Sequence, residues 1–263
     1  MHSNCLIILS NWKYADLWHI LIENYDRYNF FNDNFDIFIT TDSINGFEDL
    51  ESSSSFKFIV YPSNLSWLEA LKFTVDNLVL KKYRFTLFTF DDLFITEVKT
   101  EQIEDILSRN FFYYKLLDTH VNIYNKCECR NGELILTNVQ DSYIGSLVFT
   151  IFRTEFIHKV LQKMPDNLNP WEYEYHASKY FRERLGFFCA QKSVISYQNL
   201  IIKGKLNPIS RKNIETLIGR KVVLKRKVMN FCEVARYILK YYLWTAFRRV
   251  TPFSIQKYFR RKY

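Results

Sequence analysis

Two groups of carboxylates in this 263-residue sequence have the types and spacing to do chemistry. In Phe88-Thr-Phe-Asp91-Asp92-Leu-Phe-Ile-Thr96, adjacent acids close an aromatic-rich run. Carboxylates at a strand end can hold a divalent cation, and such an ion can neutralise the two phosphates of a nucleotide diphosphate. The pair could equally cap the turn that follows, and spacing alone favours neither use. The second group is Asn169-Pro-Trp-Glu172-Tyr-Glu174-Tyr-His176. On a helix Glu172 and Glu174 point about 200° apart, so a given cleft is faced by one of them. One suffices as a general base that takes a proton from a hydroxyl. The commoner use of such acids is to offset the dipole at a helix start, and His176 reads most simply as a packed or solvent-edge histidine.

Other chemistries are excluded. The sequence contains neither G-x-x-x-x-G-K-[ST] nor G-x-G-x-x-G, and its 6 glycines leave no phosphate-cradling loop of the P-loop or classical dinucleotide kind. Cys5, Cys127, Cys129, Cys189 and Cys232 are odd in number and scattered, which fits reduced thiols in a cytosolic setting without disulfides. Cys127 and Cys129 form a single C-x-C with no second pair at zinc-ligand spacing, so no zinc site is expected.

The elements that must position the acids alternate in type. Cys5–Ser10, the run of Phe35, Ile37 and Ile39 that leads into Thr40-Thr41-Asp42, Phe56–Pro62 stopped by its proline, and Tyr83–Phe90 running into Asp91-Asp92 read as strands. Helices are expected over Tyr14–Tyr28 and over 66–82, where Ser66 and Glu69 form a capping-box pattern, with a Ser-rich loop at 51–55. Further helices are expected from Val98 to Asn110, over 153–164 and from Pro170 to Gly186, and strands over 111–117 and 134–139. Strand and helix alternation predicts an α/β fold with a mainly parallel sheet, whose ligands bind beyond the carboxyl ends of the strands. Thr41-Asp42 and Asp91-Asp92 stand at two such ends.

With 48% apolar and 18% aromatic residues, the chain can bury a substantial core. Its opening apolar run reads as a first strand rather than a secretion signal, and no segment has the roughly 18 to 20 apolar residues of a spanning helix. Charge is unevenly spread. Residues 203–263 carry 17 Lys or Arg against 2 Glu, while the first 202 residues are net −7 within an overall +8. A tail of that sign is expected to meet an anionic surface.

Five segments in consistent order, Ser10-Asn-Trp-Lys-Tyr-Ala-Asp-Leu-Trp18, Ser66-Trp-Leu-Glu-Ala-Leu71, Phe90-Asp-Asp-Leu-Phe-Ile-Thr96, Asn169-Pro-Trp-Glu-Tyr-Glu174 and Ile201-Ile-Lys-Gly-Lys205, resemble a family of bacterial glycosyltransferases from capsule and O-antigen clusters. The resemblance implies a GT-A-like (nucleotide-diphospho-sugar transferase) domain over 1–220, followed by a basic amphipathic helical segment over 221–263. It implies a nucleotide-sugar donor bordered by Ser10, Asn11, Thr41 and Asp42. Asp91 and Asp92 would hold the donor through Mg²⁺ or Mn²⁺, and Lys203 and Lys205 would contact the leaving diphosphate. The sequence reads D-D-L where the family has D-x-D, which leaves open a role for Asp92 alone and a metal-independent reaction. Glu174 or Glu172 would be the base that activates a hydroxyl of a lipid-linked surface glycan. A solvated turn is the alternative use of the two lysines.

Val228, Phe231, Ala235, Ile238, Tyr242 and Leu243 recur at helical spacing in the tail until Pro252. Together with its basic residues this predicts a helix on the inner face of an anionic membrane, and so a cytoplasmic, peripherally bound enzyme that does not bind nucleic acid. The alternative is a non-catalytic membrane-surface or nucleic-acid-binding protein with the same fold.

Overall fold

The computed structural model describes residues 3–118, 128–130, 133–135, 145–181, 186–251 and 255. The expected helix from Pro170 is described as far as Phe181, whereas 182–185, Cys127, Pro252 and most of 134–139 lie outside the described residues.

The strands are β1 (Asn4–Leu9), β2 (Asp36–Thr41), β3 (Phe56–Val60), β4 (Phe85–Phe90), β5 (Leu93–Val98), β6 (Tyr113–Lys115), β7 (Glu128–Arg130), β8 (Glu133–Ile135), β9 (Thr150–Arg153), β10 (Phe187–Ala190), β11 (Ile195–Asn199), β12 (Ile201–Ile202) and β13 (Lys205–Leu206). The helices are α1 (Trp18–Asp26), α2 (Asn29–Asn34), α3 (Glu48–Ser53), α4 (Trp67–Leu80), α5 (Thr100–Ser108), α6 (Thr154–Leu161), α7 (Pro170–Phe181), α8 (Pro208–Ile218) and α9 (Phe231–Val250). One mixed sheet has the order β3-β2-β1-β4-β9-β6-β10-β8-β7. Its first four strands are parallel, β9 runs antiparallel between β4 and β6, and β10 returns to parallel pairing with β6.

β1 is apolar from Cys5 to Leu9 because helices cover both faces of the sheet there. In β1, Leu6 and Ile8 pack on one side with α1, α2, α5 and α8, while Cys5, Ile7 and Leu9 pack on the other with α4, α6 and α7. The expected capping box heads α4: Ser66 N donates to Glu69 Oε2 at 2.7 Å, and Glu69 N donates to Ser66 Oγ at 3.3 Å.

Four local expectations change. Residues Trp12–Leu17 form a 3₁₀ turn, so the first helix starts only at Trp18. The Ser-rich stretch expected as a loop is helical up to Ser53. β5 and β9 were not expected as strands; their partners, β11 for β5 and β4 and β6 for β9, lie far away in sequence, so no local pattern reveals them. Thr100 rather than Val98 begins α5.

Asn24, fully buried on α1, ties that helix to β5. Its amide nitrogen donates to Ile95 O at 2.9 Å, and its carbonyl oxygen accepts from Ile95 N at 2.8 Å. Removing this amide strands two buried backbone groups. An Asn24→Leu variant should therefore lose about 2–4 kcal/mol in urea unfolding.

Candidate active site

The register of the parallel block decides what meets at its carboxyl edge. Leu9 pairs with Thr40 on one side and with Phe90 on the other, so the residues that follow emerge side by side. They line a cleft of about 510 Å³, within the ~300–1,000 Å³ typical of small-molecule sites. Of the residues singled out by sequence, Ser10, Asn11, Asp42, Asp91 and Asp92 line it.

A chain of hydrogen bonds sets the acidic pair. Trp18 Nε1 donates to Ser10 Oγ at 2.9 Å, and Ser10 Oγ donates in turn to Asp91 Oδ2 at 2.5 Å. Tyr61 OH donates to Ser10 O at 3.1 Å and closes the same corner. Asp42 Oδ1 accepts from Trp12 N at 2.8 Å, and Asn11 Oδ1 accepts from Lys13 N at 3.2 Å; both fix the 3₁₀ turn at the cleft rim. Thr41 is fully buried, and its hydroxyl donates to Ser43 O at 3.0 Å. It shapes the loop from behind, and Thr40 takes the lining position.

The two aspartates differ. Asp91 is 6% exposed, and burial pushes its carboxyl up to about 8, against the hydrogen bond from Ser10; the charge of Asp92 adds to the rise. Asp92 is less buried; burial raises it to about 6, with Arg226 acting in the opposite direction. Asp92 is thus the more readily ionised member, held beside a carboxyl that the fold prefers neutral. Among the described residues no group of three His, Cys, Asp or Glu could hold a metal ion. Two carboxylates at one cleft do fit a hard cation that takes its other oxygens from a diphosphate and water, as Mg²⁺ commonly does.

The remaining candidates do not line the cleft. Glu172 turns back on its own helix: Asn169 N donates to Glu172 Oε2 at 2.9 Å, while Trp171 N and Glu172 N each donate to Asn169 Oδ1 at 3.0 Å. Glu174 is half-buried, and its charge reaches the buried Tyr113 and Tyr173. It stands three residues after Trp171, a cleft residue, and so on the same face of α7. Lys203 is exposed on a two-residue hairpin turn with Gly204, at φ of 52° and 75°, the doubly positive pair for which glycine is favoured. Lys205 forms an ion pair with Glu233.

Sequence reasoning missed Arg226. Its Nε donates to Asp16 Oδ2 at 2.7 Å and its Nη2 to Lys13 O at 3.0 Å, and its guanidinium lies 4.7 Å from the Tyr14 ring centre. The tail thereby clasps the rim residues Lys13 and Tyr14. Arg226 was counted with the tail's charge, and nothing local distinguishes it from its neighbours. Tyr61, also at the cleft, carries no sequence signal beyond its aromaticity, whereas Trp67 and Trp171 stand in segments that carry the resemblance but were given no role there.

The fold is a mixed α/β one, a central sheet with a parallel block flanked by helices and a cleft beyond that block's carboxyl ends, and it is shared with the solved structures that the chain resembles. No protein-family model and no curated protein matches the sequence. Among solved structures the chain is similar to S. aureus TarS, with a TM-score of 0.56 at 13% identity over 95% of this chain and 44% of that one. It is also similar to TarS 1–349 in complex with UDP, with a TM-score of 0.55 at 12% identity over 89% of this chain and 70% of that one. The chain therefore spans less than half the length of the longer TarS chain.

The raised Asp91 has a consequence for stability. A carboxyl held above its unfolded value of about 3.9 stabilises the fold at low pH and loses that contribution as pH rises towards about 8. The Tm difference between Asp91→Asn and the parent should shift in the variant's favour from pH 5 to pH 8.5 and level off above, as read by differential scanning fluorimetry.

Proposed function

We propose that the chain is a glycosyltransferase that moves a sugar from a nucleotide-diphosphate donor to a hydroxyl of a lipid-linked surface glycan. The observation that carries this reading is the meeting of Ser10, Asn11, Asp42, Asp91 and Asp92 in one cleft at the carboxyl edge of the parallel strands. A solved structure of similar fold is in complex with UDP, which supports a nucleotide as part of the donor. Asn11, Asp42 and Tyr61 would border the base and ribose. Asp92, with Asp91 behind it, would hold a divalent cation, which when bound offsets the charge of the leaving diphosphate.

Glu174 serves as the base in this reading. Glu174 shares the face of Trp171, a cleft residue, and from there can take the proton of an incoming hydroxyl. The diphosphate contact expected of Lys205 is less well supported, since Glu233 holds that ammonium.

The acceptor's lipid anchor is proposed from the tail. No described helix is long and apolar enough to cross a membrane. α9 starts in a capping box between Asn230 and Glu233 and packs on the body through Val234 against Ile202 and Met229. Beyond that root Leu239, Tyr241, Tyr242, Leu243 and Val250 are exposed. Arg236, Lys240 and Arg249 lie on the same helix, and no acid follows Glu233. An aromatic, basic helix of this kind suits an anionic bilayer surface at the inner face of the membrane.

Two measurements test the reading. In a thermal-shift screen against UDP, GDP, CMP and dTDP with and without Mn²⁺, one nucleotide should raise Tm by several degrees, and Asp92→Ala should lose the shift. Glu174→Gln should keep that shift but lower kcat about 10²-fold or more. Nucleotide shifts and transfer activity that survive both changes would contradict the assignment. In flotation, the chain should bind phosphatidylglycerol vesicles at low salt and release from them as salt rises, and should ignore neutral phosphatidylcholine. A shift with anionic lipid but with no nucleotide would instead favour the non-catalytic membrane-binding alternative.

A further inference from the structure

The donor reading accounts for one wall of the cleft, formed by the ends of β1, β2 and β4. The opposite wall comes from the starts of α4 and α7, through Ser63, Leu65, Ser66, Trp67, Pro170 and Trp171. Trp171 is 75% exposed, whereas Trp18, which supports Ser10, is fully buried. An indole in water forgoes the burial available to so large an apolar group.

The wall is rigid. Asn169 Oδ1 accepts from the Trp171 backbone N–H at 3.0 Å, and Tyr173, two residues on, is fully buried. The Tyr173 ring meets Trp67 edge-on, with ring centres 5.6 Å apart. Ser66 Oγ donates to Asp166 O at 2.6 Å and Lys72 Nζ donates to Met164 O at 2.8 Å, so the chain entering α7 is tied to α4. Two tryptophans are thus held beside a polar cleft on elements that cannot easily move.

We propose that Trp171, with Trp67 lining the same cleft, forms a subsite for one pyranose ring of the acceptor. A pyranose has a C–H-rich face that packs on an aromatic ring, while its rim hydroxyls seek polar groups such as the exposed Ser63. Glu174 lies one helical step from Trp171 on the same face of α7, so a ring stacked there presents a hydroxyl on the base's side. The naming of this sugar as acceptor rests on the transfer reading; the sugar-binding site itself does not.

The test is built to separate the two. Saturation-transfer NMR with methyl β-glucopyranoside, methyl β-galactopyranoside and methyl N-acetyl-β-glucosaminide needs neither donor nor turnover. Saturation should reach the ring C–H protons of at least one glycoside with the parent chain and with Trp171→Phe, and should fall at least fivefold with Trp171→Ala. Trp171 is exposed, so both variants should melt within about 2 °C of the parent. Nucleotide affinity, read from the donor titration, should stay within twofold in both. No transfer to any of the three glycosides, equal transfer in Trp171→Ala, or a tenfold loss of nucleotide affinity in that variant would each overturn the subsite. Loss of the nucleotide shift in Asp92→Ala bears only on the donor reading and leaves this result unchanged.

Discussion

The parallel pairing of β1 between β2 and β4 governs where polar chemistry can sit in this molecule. Parallel strands finish at the same edge, and helices on both faces of the sheet leave that edge as its opening to ligands. With Leu9 opposite both Thr40 and Phe90, the chain delivers Ser10, Thr41 and Asp91 to one corner. Asp91 is then a carboxyl taken out of water by the same packing that makes the strands stable. Ser10 meets it with a hydroxyl that Trp18 orients from α1. Fold and site are therefore one arrangement, since the apolar faces of β1 force its polar end into the cleft.

Those strands were legible because burial on both faces leaves continuous apolar runs, and the start of α4 because its capping box is written in four consecutive residues. Legibility fails where the partner is distant. β5 is held by β11, which begins at Ile195, and β9, which begins at Thr150, by β4 and β6, which end as far back as Phe90 and Lys115. The same limit applies at the site. The types of Asp91 and Asp92 were visible, but their unequal burial comes from packing between distant strands, and the hydrogen-bond partner of Asp91, Ser10, stands 81 residues away. Glu172 and Glu174 could not be told apart by spacing; Asn169 separates them by engaging one in the helix start.

The basic tail divides into parts with different work. Val222 N donates to Glu215 at 2.8 Å, Leu206 N to Lys227 O at 2.8 Å, and Arg226 grips Asp16, so the segment entering α9 is fastened to the body. Lys205 is fastened likewise through Glu233. Part of the positive charge that composition assigns to an external partner is thus spent inside the molecule, next to the cleft rim. What remains outward on α9 is the aromatic and basic surface proposed to face the bilayer. Because Arg226 also rests on Tyr14, the tail and the cleft rim share a common anchor.

Hydrogen–deuterium exchange with and without saturating UDP and Mn²⁺ tests the central claim most directly, because it reports where a nucleotide binds without assuming a reaction. The account predicts slowed exchange in the three segments around Leu9–Tyr14, Thr40–Ser43 and Phe90–Leu93, with little change in α9. Protection elsewhere in the chain, or none at a UDP concentration that raises Tm, would contradict the placement of the donor at the carboxyl edge of β1, β2 and β4.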